Sequence, residues 1–575
     1  MSEKIKIIID GKEIEAEVGQ TILDVAGENG IDIPALCHHP DLKVKASCRV
    51  CVVEIKGKKG LHASCSTKVA DGMEIITDSE DVKRARKINL ELIFAQHREE
   101  CSDCVWNARC QLLNLAKKND VKITRFVDRK TDYPTYQFDD ALIFDSSKCI
   151  DCRNCVEVCK NQGVGFLEIK EKGSLFQIVP SEDPKKDCVY CGQCIMSCPA
   201  GAFEGVGEFE DIEKPLQDKD KHVVVQFAPA IRTSIGEEFG LPHGQVVTGQ
   251  IVAALKKLGF NNVFDTSVAA DFTTVEESNE VIERIKEGGK LPLMTSCCPA
   301  WVKYVEFYYP EFIPNLTTVR SPQIILGGLI KNYWAQKENI DPKNIVVVSI
   351  MPCVAKKHEI NRPELEINGL KPVDHVLTTR ELARLLMKNK IDFASLESEE
   401  LDNIFGDPSG AGVIYGASGG VIESAFRTTY EKLTGERLEN VEFEQVRGMQ
   451  GVKKAEVELA GKVRKIAVVN GLGNAKKILE EIKDDPNEAY TCIEVMACPG
   501  GCIGGGGQPL PSNSNIKKKR AAGLYNIDEK KEIRRAHENP SVEKVYNDFL
   551  NEDPSAHSIL HTSYKKAEKG NNKKL

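Results

Sequence analysis

Short apolar runs separated by polar turns mark the first 79 residues as a small β-rich domain. Residues 5–9 form one apolar run, and the turn sequence Asp-Gly-Lys at 10–12 separates it from a second short strand. Thr21 is a favourable N-cap for a helix that ends before Gly30. The pattern therefore predicts a hairpin, a helix and a loop-rich remainder.

Residues 210–575 follow a different pattern, in which buried strands alternate with amphipathic helices. One predicted helix has Val247, Ile251 and Leu255 on one face and ends at Gly259. The alternation predicts an α/β domain whose parallel strands are buried on both faces. The predicted strands lie at residues 223–227, 291–295, 345–350, 466–469 and 493–495.

Two weaker patterns complete the predicted organisation. The sequence Gly-Leu-Gly at 471–473 lacks the third glycine of a dinucleotide loop, so we interpret it as a turn. The charged tail after Lys517 ends in a stretch rich in Lys and Asn that we expect to be solvated or frayed. We predict a multi-domain α+β and α/β protein with domains at 1–79, 80–126, 127–209 and 210–575.

Net charge, apolar content and cysteine content limit the classes of protein to which this chain can belong. A formal net charge of −9 argues against nucleic acid as the main partner. The chain has neither a long apolar run nor an apolar leader at its start, so we expect a cytoplasmic protein without membrane spans. The chain contains 21 cysteines, many in CxxC-type spacings, which favours metal ligation over disulfides.

Three groups of possible metal ligands occur before residue 210. Cys37, Cys48, Cys51 and Cys65 follow the predicted helix; zinc is the alternative, but the order of elements resembles a plant-type 2Fe–2S ferredoxin. In the second group, His97 is a candidate fourth ligand to three cysteines, although a surface histidine or a zinc site would give the same pattern. Those three are Cys101, Cys104 and Cys110.

The third group is an internal repeat of the two-cluster bacterial ferredoxin type, in which the fourth cysteine of each run ligates the other cluster. We therefore predict two 4Fe–4S sites. The first is Cys149, Cys152, Cys155 and Cys198, and the second is Cys188, Cys191, Cys194 and Cys159.

The remaining three cysteine motifs are widely separated, and each begins where a predicted strand ends. They are Thr-Ser-Cys-Cys-Pro at 295–299, Met-Pro-Cys at 351–353 and Ala-Cys-Pro-Gly-Gly-Cys at 497–502. Local zinc sites cluster their ligands within a short segment. This spacing instead predicts a buried metal centre that tertiary folding assembles at the carboxyl ends of strands.

These segments resemble the three signatures of the FeFe (iron-only) hydrogenases, specifically the monomeric clostridial type with accessory clusters. The quoted matches are TSCCPAW at 295–301, MPCVAKKHE at 351–359 and EVMACPGGCIGGGGQP at 494–509. The resemblance implies an H-cluster, a 4Fe–4S cluster joined to a two-iron subsite with CO, cyanide and azadithiolate ligands. Its implied protein ligands are Cys298, Cys353, Cys498 and Cys502, with Cys502 bridging the two parts.

The resemblance also implies a lining for the two-iron subsite, with Lys356 pairing to a cyanide. For the methionines, plain core packing would give the same pattern. Ala230, Tyr415 and residues 267–270 depart from the family pattern. The implied lining residues are Ser321, Pro322, Gln323, Met351, Met496, Ala228, Pro229, Tyr415 and Gly416.

A proton route is implied in the same way, from Cys297 through a water to a row of polar side chains. Glu277, Glu280 and Arg284 would share one face of a helix, although a solvated helix face gives the same spacing. Thr317 supplies a hydroxyl between the two glutamates in this route. For Cys297 the alternative is a small buried apolar residue.

The implied function is reversible reduction of protons to H2. Electrons would come from ferredoxin or flavodoxin through one 2Fe–2S and three accessory 4Fe–4S clusters, in a protein that is a monomer and depends on maturases. The alternatives are an electron-transfer subunit of a larger NADH-linked complex, a redox or hydrogen sensor, and a related iron–sulfur assembly protein.

Overall fold

The computed structural model describes residues 3–98, 110–121, 126, 133–172, 175–459, 461–485, 490–552 and 554–575. The predicted ligands Cys101 and Cys104 lie outside these residues. The strands are β1 (Lys4–Ile9), β2 (Lys12–Glu17), β3 (Val52–Ile55), β4 (Leu61–Ala63), β5 (Glu74–Ile76), β6 (Thr135–Phe138), β7 (Leu142–Asp145), β8 (Leu167–Lys172), β9 (Leu175–Pro180), β10 (Phe203–Gly205), β11 (His222–Phe227), β12 (Asn262–Asp265), β13 (Leu293–Met294), β14 (Ile345–Met351), β15 (His375–Thr378), β16 (Val452–Leu459), β17 (Lys462–Asn470), β18 (Tyr490–Met496) and β19 (Asn572–Lys574).

The α-helices are named in the same way, and short 3-10 and π segments join several of them. They are α1 (Ile22–Glu28), α2 (Glu80–Phe94), α3 (Gln111–Lys118), α4 (Asn154–Asn161), α5 (Gln193–Met196), α6 (Phe209–Gln217), α7 (Thr248–Lys257), α8 (Thr266–Glu287), α9 (Pro299–Tyr308), α10 (Pro322–Leu329), α11 (Ala335–Lys337), α12 (Ala355–Glu359), α13 (Thr379–Lys388), α14 (Gly410–Val413), α15 (Gly420–Thr434), α16 (Leu472–Asp484), α17 (Ser514–Lys530) and α18 (Pro540–Val545).

The N-terminal sheet has the order β2-β1-β5-β3-β4, and the predicted hairpin and helix are both confirmed. Thr21 caps α1 through a reciprocal capping box with Asp24. Ile7, Val25 and Val53 are fully buried between the helix and the sheet. The cysteine loop between α1 and β3 is therefore attached to a rigid support.

Two four-stranded sheets build the predicted α/β region. One has the order β12-β11-β14-β15 and is entirely parallel; the other has the order β13-β18-β17-β16 and contains one antiparallel edge, at β16. Strand β13 is shorter than the run predicted at 291–295, because Pro292 has no amide hydrogen for a ladder bond. The carboxyl ends of β13, β14 and β18 carry the cysteine motifs, as predicted.

Helix α8 runs from the core to the surface. It begins at the N-cap Asp265, and its residues 266–278 are buried without interruption. From Asn279 onward the positions are exposed or half-buried except for the buried Val281, and the helix ends at Gly288, which has a φ of 79°. Side chains along one face of α8 can therefore connect a buried site to solvent.

One prediction about local structure was wrong, and another was wrong in part. Gly471 is the N-cap of α16, so residues 471–473 begin a helix instead of a turn; a Cβ on Gly473 would lie 1.9 Å from the carbonyl oxygen of Asn161. The C-terminal stretch is solvated as expected at Lys573 and Lys574, which are exposed, but it is not frayed, because β19 pairs with β6 and the Gly570 amide donates to Asp187. Its polar residues find partners in the core region, which composition alone does not reveal.

No α-helix of the described ranges is both long and apolar enough to span a bilayer.

Candidate active site

Three strand ends deliver the cysteine motifs to one buried region. Cys298 follows β13 and is the N-cap of α9, Cys353 follows β14, and Cys498 follows β18. Burial raises the pKa of the Cys498 thiol, and the neighbouring thiols of Cys353, Cys298, Cys191 and Cys502 raise it further. The four predicted cluster ligands are therefore brought together from three separate loops.

Buried thiols in this pocket resist ionisation unless a cation is present. Burial, followed by the charge of Cys298, raises the pKa of Cys353 to about 12. The pocket cysteines Cys297, Cys298, Cys353, Cys498 and Cys502 form no disulfide. Convergent, unpaired thiols of this kind fit an iron–sulfur group, because iron stabilises the thiolate form that burial disfavours.

The glycines after Cys498 keep the cysteine loop close to neighbouring backbone. Gly501 has a φ of 90°, and a Cβ there would lie 2.7 Å from the amide nitrogen of Ser418. The Gly500 amide donates to Asn470 Oδ1 at 3.0 Å, which fixes the start of the same turn. The glycines of this loop therefore permit close backbone packing and do not make the loop flexible.

A buried network fixes Lys356 beside the first cysteine motif. Its Nζ donates to the carbonyl oxygen of Cys297 at 3.0 Å and to Glu359 Oε2 at 2.8 Å. Ser321 Oγ and Gln323 Nε2 also donate to that oxygen, at 2.9 and 2.6 Å. Burial lowers the pKa of Lys356, but the carboxylate of Glu359 outweighs this effect and the net shift is upward.

Glu359 is the residue that the sequence analysis missed. It lies three positions after Lys356 inside the second cysteine motif, so helical spacing could have paired them. The Oε1 atom of Gln323 is buried without a hydrogen-bond partner among the described residues. A polar group bound in this pocket would satisfy that oxygen.

The opposite side of the pocket is mainly apolar. Tyr415 and Met496 pack with Cys297 and Cys502. Tyr415 is buried, and its hydroxyl lies 2.8 Å from Thr274 Oγ1, so the extra oxygen has a partner inside the protein. Of the other predicted lining residues, Met351, Ala228, Pro229 and Gly416 are buried and Pro322 is half-buried.

Glu277 has an unusual environment on α8. Its side chain is 1% exposed, and neither carboxyl oxygen has a hydrogen-bond partner among the described residues. Burial, followed by the charges of Glu280 and Glu494, raises its pKa to about 8. Glu277 also raises the pKa of the Cys297 thiol, after the larger effect of burial, which indicates that the two side chains lie close together.

Glu280, one turn further along α8, is fully engaged in contacts. Thr317 Oγ1 donates to its Oε2 at 2.6 Å, the Thr318 amide donates to the same oxygen at 3.0 Å, and Arg284 pairs with its Oε1. The side chains of Glu280 and Arg284 are each 13% exposed. The solvated helix face that remained an alternative for these residues is therefore excluded.

Cysteines of the two-cluster repeat form two neighbouring sets. Thiols of the first set raise one another's pKa after burial, and those of the second set do the same. The fourth cysteine of each run lies with the opposite set, in the arrangement that the spacing predicts. The sets are Cys149, Cys152, Cys155 and Cys198, and Cys188, Cys191, Cys194 and Cys159.

The described members of the other two upstream groups lie near the first set. Cys37 contributes to the raised pKa of Cys152, and Cys51 Sγ lies 3.4 Å from Cys65 Sγ. His97 is 7% exposed, which excludes a solvated surface histidine, and its Nδ1 lies 2.8 Å from the carbonyl oxygen of Lys148. Cys48 and Cys110 are half-buried in one small apolar cluster between these segments.

The second set is joined to the buried pocket. Cys498 Sγ lies 3.8 Å from the carbonyl oxygen of Cys191. A Cβ on Gly192 would lie 2.9 Å from Gly506 Cα, so both glycines permit this close approach of two loops. The cysteine sets therefore form a continuous series that ends at the pocket.

Comparison with known proteins identifies the family of proteins that carries this series of cysteine sets. The family profile for the iron-only hydrogenase large subunit, C-terminal domain, matches residues 221–506. Iron hydrogenase 1 from Clostridium pasteurianum is 40% identical over 97% of this chain and 100% of that protein. The chain belongs to the iron-only hydrogenase family. It is an oxidoreductase that acts on H2.

Other comparisons cover the rest of this hydrogenase. The NADP-reducing hydrogenase subunit HndD from Solidesulfovibrio fructosivorans is 42% identical over 98% of this chain and 99% of that protein. A solved structure of [FeFe]-hydrogenase HydA1 from Chlamydomonas reinhardtii has 38% identity and a TM-score of 0.57, covering 63% of this chain and 99% of that chain.

Matching profiles also cover the flanking segments. The profile for the small subunit of iron hydrogenase covers most of the charged tail that follows Lys517. The matches are a 2Fe-2S iron-sulfur cluster binding domain at 2–80, an NADH-ubiquinone oxidoreductase-G iron-sulfur binding region at 86–125, a 4Fe-4S dicluster domain at 148–202 and the iron hydrogenase small subunit at 514–567.

Proposed function

We propose that this hydrogenase interconverts protons and H2 at an H-cluster held by Cys298, Cys353, Cys498 and Cys502. The observation that carries the proposal is the convergence of these four thiols from three strand ends onto one buried pocket. When bound, the H-cluster supplies the redox-active iron at which protons and electrons combine. Lys356 supplies a fixed cation, and the buried lining excludes bulk water.

The proposed accessory cofactors are one 2Fe–2S cluster and three 4Fe–4S clusters. We assign the 2Fe–2S cluster to the cysteine loop of residues 1–79. We assign one 4Fe–4S cluster, with His97 as a ligand, to residues 80–126. Two further 4Fe–4S clusters belong to residues 127–209, and the H-cluster belongs to residues 210–575. The support is the grouping of cysteines in residues 1–79 and 127–209 and, for residues 80–126, the buried His97 and the position of Cys110 beside Cys48.

Electrons follow this series toward the pocket in the proposed mechanism. The 2Fe–2S loop and His97 both adjoin the first cysteine set, through Cys37 and through the carbonyl oxygen of Lys148. The second set adjoins Cys498 through Cys191. This arrangement offers two entry points that share one final path.

Protons follow α8 in the proposed mechanism. Cys297 Sγ exchanges a proton with the pocket, and Glu277 exchanges a proton with Cys297 through a water. A carboxyl group with a pKa of about 8 holds its proton at neutral pH, so Glu277 can deliver it inward. Thr317 and Glu280 continue the route to Arg284, at the half-exposed part of the helix.

The proposed partners are a ferredoxin or flavodoxin, H2 and protons, and maturases that insert the two-iron subsite. We also propose a cytoplasmic monomer. Purification from an anaerobic host, followed by the measured mass of the native protein, tests the oligomeric state. Reduction of added ferredoxin under H2 tests the carrier.

Infrared spectroscopy of the matured protein tests the active site. Bands of metal-bound CO and cyanide are expected in the parent and in a Cys492→Ala control, because Cys492 belongs to none of the cysteine sets. A matured parent without such bands would contradict the H-cluster assignment. Cys297→Ala should keep the bands and lose H2 evolution; parental turnover in this variant would overturn the relay role.

A second candidate is the same catalysis inside an NADP-linked complex. The full-length similarity to the HndD subunit favours it. Reduction of NADP+ by H2 in a native anaerobic extract, and its loss when the chain is purified alone, would support this candidate. Ferredoxin reduction by the purified chain, with no NADP+ reduction in the extract, would support the monomer.

A further inference from the structure

A cluster of two histidines and one glutamate lies against the outer part of α8. Ligand atoms of Glu276, His557 and His561 all lie within 4.8 Å of one another. The His561 amide donates to the His557 carbonyl oxygen at 3.2 Å, and the two rings stack 6.2 Å apart. Two histidines one helical turn apart on one face form a common zinc-binding arrangement.

The carboxylate of Glu276 is already oriented toward these rings. Tyr546 OH donates to its Oε1, and its Oε2 lies 3.0 Å from His561 Nε2. Glu276 is 6% exposed, and no lysine or arginine of the described residues forms an ion pair with it. A carboxylate fixed by a neighbouring hydroxyl and not neutralised by a cation is a suitable metal ligand.

A second cluster, with one histidine and two glutamates, has a different electrostatic environment. In the set of Glu431, His537 and Glu538, the ring nitrogens of His537 contact Thr428 and Glu431. Arg535 also pairs with Glu431 at 2.6 Å and with Glu538 at 3.5 Å. The guanidinium of Arg535 already supplies a positive charge to both carboxylates, so the second cluster provides a matched control.

The first cluster contacts the end of the proposed proton route. His561 Nδ1 lies 2.9 Å from Thr318 Oγ1, and the Thr318 amide donates to Glu280 Oε2 at 3.0 Å. We propose that Glu276, His557 and His561 bind a divalent transition metal of the Zn2+ class, and that occupancy slows proton exchange at Glu280. The second half of this proposal rests on the proposed function of α8.

Metal binding would change the hydrogen bonds of His561 and its ability to exchange a proton. A metal on Nε2 replaces the hydrogen bond to Glu276 and leaves Nδ1 as a fixed donor to Thr318. His561 could then neither accept nor release a proton while the metal is bound. The fourth position of a tetrahedral site would be filled by water, since the cluster is half-exposed at both histidines.

Zinc uptake by the holoenzyme tests the site. Parent, His557→Gln and the control His537→Gln are incubated with Zn2+, desalted, and analysed for zinc per chain. The parent and the control should retain one more zinc than His557→Gln, or bind it at least about tenfold more tightly. Equal uptake and affinity in all three proteins would overturn the site.

H2 evolution in the same samples tests the functional half. Zinc should slow the parent and the control, chelation should restore both, and His557→Gln should be insensitive relative to its own zinc-free rate. Site-specific uptake without slower turnover would overturn the effect on Glu280 and leave the site supported. A zinc-free parent that lacks CO and cyanide bands would contradict the proposed function instead, while its zinc uptake would still decide the site.

Discussion

Two buried glutamates near Cys297 have opposite surroundings. Glu359, on α12, accepts hydrogen bonds from Lys356, Ser321 and Gln323. Glu277, on α8, has no hydrogen-bond partner among the described residues, and its pKa is raised to about 8. The first side chain pairs with Lys356, whereas burial raises the pKa of the second.

This difference separates two tasks within one pocket. An ion pair with several donors resists proton exchange, because each partner stabilises the charged form of the other. An isolated carboxyl with a pKa near the working pH exchanges protons with little energetic cost. In the proposed mechanism, the α12 side therefore positions the cofactor and the α8 side moves protons.

Replacement of Glu277 by glutamine should have the largest effect on turnover. The amide keeps the shape of the side chain but cannot exchange a proton, so H2 evolution should fall by about 10²–10⁴-fold. The rate with a reduced viologen dye measures this effect. Unchanged CO and cyanide bands would exclude loss of the cofactor, and a rate within twofold of the parent would remove Glu277 from the route.

Replacement of Glu359 by glutamine should affect stability instead. The change leaves Lys356 buried without its carboxylate, which costs about 3–5 kcal/mol locally. Hydrogen exchange of the α12 amides in the protein before maturation measures this loss. The same measurement on Glu277→Gln is the control, and equal protection in the two variants would contradict the distinction between these glutamates.

The pH dependence of stability should distinguish the same two residues. The folded pKa of Glu277 is raised from 4.5 to about 8, so the folded state holds a proton that the unfolded state releases. Between these values the contribution of Glu277 to stability falls as pH rises, by up to about 1.4 kcal/mol per pH unit. Hydrogen exchange of the α8 amides at pH 6 and 8 should show this fall in stability in the parent but not in Glu277→Gln. An identical fall in both proteins would exclude Glu277 as its cause.

The smallest expected effect concerns the outer part of the route. Thr317→Val removes the hydroxyl that donates to Glu280 at 2.6 Å, which should slow turnover by about two- to tenfold, the equivalent of one hydrogen bond. Thr317→Ser keeps the hydroxyl and should stay near the parental rate. Equal rates in the two variants would show that the hydroxyl has no part in proton transfer.

The sequence predicted the features that local chemistry determines. Cysteine spacing predicted the groups that the structure brings together, and apolar runs predicted the strand ends that carry Cys298, Cys353 and Cys498. Contacts between distant segments were harder to predict. Gln323 reaches Glu359 from 36 positions away, and the C-terminal strand β19 pairs with β6 across most of the chain. Such partners follow from tertiary packing, which a local pattern does not encode.

The protonation state of Glu277 is the most direct test of this account. Infrared difference spectra of the parent and Glu277→Gln, recorded as a function of pH, isolate the C=O stretch of this one carboxyl group. We predict a protonated carboxyl at neutral pH that is lost with a midpoint of about 8. A midpoint near the ordinary value of 4.5 would contradict the central claim that Glu277 stores the proton.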